Sequence, residues 1–146
     1  YTVALPRPDG RIRLGATGTL SGNNVYNTDG TGQTSSGSAA RGNSVTYTVS
    51  AQNDAPFREA LHLRGTASSG NFTVQYTVDG VDVTAEMIAG TYTTPTLAPG
   101  ATHTVSARVT VTTAAPAGSS LTANVTIKSS ADPTTKDKVK FVTRRA

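Results

Sequence analysis

The chain has 146 residues, no cysteine, 15% charged residues and a formal net charge of +4. That length suits one domain that buries its core without staples, and the lack of thiols excludes disulfides and thiolate metal sites. No apolar run approaches the roughly 18 residues of a membrane span, and no leader peptide opens at Tyr1, so the chain reads as a mature or excised piece.

Tyr1 to Asp9 holds two prolines and little pattern, so residues 1–10 read as an N-terminal arm or linker. Arg11 to Ala16 alternates and is the first predicted strand, with Ile12 and Leu14 inward and the arginines in water. From Ser21 to Gly42 the pattern collapses into Asn, Asp, Gly and Ser, which predicts a long surface loop. Ser44 to Asp54 is the clearest strand: Val45, Tyr47, Val49 and Ala51 share one face, and Thr46, Thr48, Ser50 and Gln52 the other. Phe57 and Leu61 to Arg64 form a further strand. Phe72 to Val78 alternates up to Asp79-Gly80, a two-residue hairpin that needs positive φ at both positions. Ala85 to Ala89 suits one helical turn. Pro99-Gly100 and Pro116-Ala117-Gly118 turn the chain around a strand in which His103, Val105, Ala107, Val109 and Val111 share a face. Leu121 to Lys128 alternates in turn, Ala131-Asp132-Pro133 makes a corner, and Val139 and Phe141 anchor the last strand.

Seven to nine short strands with regular turns predict an all-β, immunoglobulin-like antiparallel sandwich in one domain, residues 11–146. A parallel α/β sheet would need helical crossovers, and none is visible.

Three segments resemble bacterial surface immunoglobulin-like repeats of the DUF11, CARDB and NEW3 kind. They are Gly42 to Val49 leading to Gln52-Asn53-Asp54, Leu97 to Ala101 with its following strand, and Ala115 to Gly118 with Leu121 to Ser129 and Asp132-Pro133. The resemblance spans about residues 42–144 and implies a module of a larger secreted or wall-associated bacterial protein, often in tandem copies. It would act as spacer, stalk or accessory domain, extracellular or on the cell surface. The 21–42 loop and the stretch from Phe72 to Ala89 depart from that pattern, so an individual function would lie there.

No catalytic constellation emerges. Acid–base work needs a base within reach of a nucleophile, and nothing places His62 near His103. No cofactor is expected. Calcium is the ion the long loop would suit, through Asn23, Asn24, Asn27, Asp29 and Thr31. A calcium-binding loop starting at Asn27 would want Glu twelfth, however, and Ser38 stands there, so these residues read first as turn-formers. A buried lysine for an isopeptide cross-link is not expected, because Lys138 and Lys140 alternate with Val139 and Phe141. Sugar binding wants exposed rings, and with no tryptophan the candidates are Tyr26 and Tyr92, beside Asn27 and Asp29.

The charge is uneven: residues 14–127 carry four arginines against six acids, while residues 128–146 carry six basic residues against Asp132 and Asp137. If the first and last strands lie side by side, Arg11, Arg13, Lys138, Lys140, Arg144 and Arg145 form one stripe. It would suit an acidic polymer, an anionic membrane or nucleic acid, though protection of sheet edges is the plainer reading.

The resulting expectation is a non-enzymatic structural, spacer or accessory module. Its partners are neighbouring domains of the same polypeptide, with neither nucleic acid nor membrane insertion involved. The alternative is a module that binds a surface carbohydrate or protein through the 21–42 loop.

Overall fold

The computed structural model describes residues 4–146. Ten strands and one short helix follow in chain order: β1 (Pro8–Leu14), β2 (Thr34–Ala39), β3 (Ser44–Asn53), β4 (Leu61–Gly65), β5 (Phe72–Val78), β6 (Val81–Asp82), α1 (Thr84–Ala89), β7 (Tyr92–Thr93), β8 (Thr102–Val111), β9 (Ser120–Ser129) and β10 (Lys136–Arg145). One sheet runs β1-β3-β8-β5-β6 and the other β2-β10-β9-β4-β7. Every pairing is antiparallel except β2 with β10, which is parallel. The result is an immunoglobulin-like sandwich.

The inward sets are those that alternation selects. Val45, Tyr47, Val49 and Ala51 meet Val105, Ala107 and Val109 within the first sheet, and all face Ala123, Val125, Ile127, Val139 and Phe141 of the second. Burying each of the larger side chains contributes roughly 1.5–3 kcal/mol. Tyr47 tilts against Phe141 with centroids 5.0 Å apart, and its hydroxyl lies 2.9 Å from both the Val142 carbonyl and Thr143 Oγ1. The phenol thus adds apolar area and leaves no orphaned polar atom.

Turn chemistry falls where the residues demand it. Asp79 and Gly80 have φ of 50° and 78°, as the hairpin between β5 and β6 requires. Asn53, the asparagine that closes the motif in β3, donates to the carbonyls of Phe57 and Leu97 and accepts from the Ala55 amide. Its role is to pin two crossings at one end of the sandwich.

The structure corrects several expectations. The first strand begins at Pro8, because Pro8, Asp9 and Gly10 already pair with Asn53, Gln52 and Ala51. The arm is therefore shorter than residues 1–10, and Tyr1 to Val3 lie outside the described residues. Leu14, the last residue of β1, is 48% exposed and not a core residue. Phe57 precedes β4 in a bend and is half-buried. The 21–42 stretch is not one loop: Ser21 bridges back to Ile12, and Thr34–Ala39 forms β2 beside β10. A Cβ on Gly37 would stand 2.7 Å from Val45 Cγ1, so glycine there lets β2 lie flat on the core.

β1 and β10 are not hydrogen-bonded neighbours. β1 pairs with β3, and β10 lies between β9 and β2. The two terminal strands instead face each other across the sandwich and run in the same direction. Gly10 sits at the level of Asp137, while Leu14 pairs with Tyr47, whose hydroxyl reaches Val142. The backbone therefore enters at one end of the sandwich and leaves at the other.

Candidate functional site

Three places gather polar chemistry. The first lies under the segment between β1 and β2. Asp137, inward on β10, accepts from the Gly10 amide at 2.6 Å, the Asn27 amide at 3.0 Å and the Gln33 side-chain amide. Burial raises its pKa and those donors oppose the rise. Asp9 is fully buried beside it, accepts from the Asn24 amide at 3.0 Å through Oδ2, and has no partner for Oδ1 among the described residues. Burial, with help from Asp54 and Asp137, lifts Asp9 to about 7. Gln33 is also fully buried, with Oε1 unpartnered.

Tyr26 closes this nest. Its hydroxyl donates to Asp54 Oδ2 at 2.6 Å and lies 3.1 Å from Asn24 Oδ1, and the Arg7 guanidinium sits 4.2 Å over its ring. Burial and Asp54 push the phenol pKa upward. Asn27 Oδ1 accepts from the Gly30 amide and the Gln33 side chain, its Nδ2 donates to the Thr31 carbonyl, and Asp29 Oδ1 accepts from the Thr31 amide. Asn27 Oδ1 and Asp29 Oδ1 are thus engaged in folding the segment on itself.

The second place surrounds β7. Tyr92 Oη lies 2.7 Å from His103 Nε2, with the rings stacked at 5.8 Å. Burial lowers the His103 pKa. His62 Nδ1 lies 2.9 Å from Thr93 Oγ1. Each imidazole therefore has one hydroxyl neighbour and no carboxylate hydrogen bond to orient it, and the two sit in different sheets. Tyr26 precedes β2 and Tyr92 lies on β7, the opposite edges of one sheet, so the two rings do not share a site.

The third place is the outer face of the sheet β2-β10-β9-β4-β7. Register puts Lys136, Lys128 and His62 in one cross-strand row and Lys138, Thr126 and Arg64 in the next. Lys140 with Asn124 follows, and Arg144 with Ser120 lies near the far end. Two adjoining clefts of about 320 and 350 Å³ share Arg64 and Thr126, and no carboxylate lines either. Of the six residues of the expected stripe, Lys138, Lys140 and Arg144 lie on this face. Arg11 and Arg13 alternate with buried Ile12 and so point out from the other sheet, while Arg145 ends β10 half-buried. Among the described residues no group of three or more His, Cys, Asp or Glu is arranged to hold a metal ion.

No family model matches the chain. No curated protein matches it. Among solved structures it is similar to the secreted serine protease VesC from Vibrio cholerae, with a TM-score of 0.47 and 13% identity over 76% of this chain and 21% of that one. It is also similar to BcpA*(D312A), the major pilin subunit of Bacillus cereus, with a TM-score of 0.46 and 14% identity over 97% of this chain and 41% of that one. The chain thus spans well under two thirds of either neighbour.

Proposed function

We propose that this domain is a non-catalytic structural module, a stiff spacer within a larger secreted or cell-surface bacterial protein. The observation that carries the reading is the run of the terminal strands: the backbone enters at the Pro8 end and leaves at the Ala146 end. Tension between neighbouring domains would load the β1–β3 and β10–β9 ladders along the strands, so that many hydrogen bonds must break together. Nine residue pairs join β10 to β9, and β2 adds six on the other side.

Single-molecule force spectroscopy on tandem copies tests this. One cooperative rupture per domain is expected, with a contour release close to the extended length of the whole folded segment less its folded span. Gradual yielding at low force would count against a load-bearing spacer.

A further inference from the structure

All four lysines of the chain, Lys128, Lys136, Lys138 and Lys140, lie on the outer face of the β2-β10-β9-β4-β7 sheet, joined there by Arg64 and Arg144. The outward positions of these strands hold no Asp, Glu, Phe, Tyr or Trp; the remainder is Ser, Thr, Asn, Val142 and His62. Asp29 stands near Lys140, its pKa held below the ordinary value chiefly by hydrogen bonds from Thr31, with the Lys140 charge adding to the effect. With this face set aside, seven basic residues stand against nine acidic ones, so the basicity of the protein is a property of one surface.

Edge protection does not account for the arrangement. The lysines stand on β9 and β10, which are interior strands, whereas the edge strand β2 carries no charge at all. Keeping like charges on neighbouring positions costs self-repulsion, which a bound anion would relieve.

We propose that this face binds a linear, flexible polymer carrying a phosphate on each repeat unit, laid along β10. Lys136, Lys138 and Lys140 recur at every second residue, about 6.6 Å apart on an extended strand. Ammonium groups on flexible stems bind phosphates as point charges, and Arg64 and Arg144 add the planar fork that holds two phosphate oxygens at once. A face without aromatic rings gives bases or sugar rings nothing to stack on, so recognition rests on backbone charge. The clefts beside Arg64, with Lys128 and Lys136 on their wall, give the chain a place to turn off the sheet.

The test is titration of the intact protein with long-chain inorganic polyphosphate across a salt series. Log affinity should fall linearly with log salt, with a slope of roughly −3 to −4 at about 0.7 per neutralised charge. Lys138→Gln with Lys140→Gln should reduce that slope by roughly 1.4, two charges' worth. Arg11→Gln with Arg13→Gln, on the opposite sheet, should leave it unchanged. Polyphosphate should also shield Lys138 and Lys140 of the unaltered protein from acetylation, a readout that needs no substitution. Salt-independent binding, equal loss in the Arg11/Arg13 variant or no lysine protection would overturn the proposal. A DNA duplex that binds as tightly as polyphosphate would overturn the assignment to a flexible single chain.

Discussion

Asp9 has no exposed surface, and its Oδ1 accepts no hydrogen bond from the described residues while Asp54 and Asp137 stand close by. Burial is the main reason its pKa rises from 3.8 to about 7, and the Asn24 amide only partly offsets it. Because the folded-state value lies above the unfolded one, the native protein holds the extra proton between about pH 4 and 7. Stability should therefore decline as pH rises through that window and stay lower beyond it. Melting at pH 5 and pH 8 checks the sign: the higher midpoint belongs at pH 5. Asp9→Asn keeps the shape and removes the buried charge, so its midpoint should exceed that of the parent at pH 8 by a few degrees. A parent protein that is more stable at pH 8 would refute the assignment. Of the two carboxylates, only Asp137 leaves a trace in the sequence. Asp137 shares its inward parity with Val139 and Phe141, a signal that a carboxylate is buried; Asp9 lies where no alternation was visible.

At the scale of elements, the segment from Ser21 to Gln33 and the strand β2 are fastened from below by one side chain. Asp137 holds the amides of Gly10 and Asn27 and the side chain of Gln33, three groups brought from two distant parts of the chain. Asp137→Ala leaves those donors buried without an acceptor, at roughly 1–3 kcal/mol each before relaxation. Stability should drop by about 3 kcal/mol, and the Asn27 and β2 amides should exchange hydrogen faster than those of β3 and β8. Uniform acceleration across the domain would mean that the segment is no separate unit. β2 itself escaped the sequence reading for a physical reason. Thr34–Ala39 has one aliphatic residue facing in, and its pairing is satisfied by β10, about a hundred positions away, rather than by a turn beside it.

For the whole molecule, the direction of loading is what matters. Force applied between the termini shears β1 against β3 and β10 against β9, so rupture there should demand more force than a pull between Ser36 on β2 and Thr93 on β7, the opposite edges of one sheet, which peels strands apart sideways. Linkage through engineered cysteines at either pair of positions, in a protein that has none of its own, makes the comparison direct. Equal rupture forces along both axes would remove the mechanical argument. The two histidines and the two half-buried tyrosines belong to this scale as well, since their separation is set by sheet assignment and not by chain distance.

Which side chains of β3, β5, β8 and β9 face inward, and where the chain turns, can be read without coordinates, because a two-residue period and the φ demands of Asp79-Gly80 are local properties of the backbone. Contacts far apart in the chain put β1 and β10 in different sheets, joined Thr34–Ala39 to one of them, and set Arg64 near Lys128, Lys136 and Lys138. Alternation says which side of a strand is dry but nothing about which strand it lies against. That choice is made by long-range packing, and it turned an expected stripe at the termini into a basic face on one sheet.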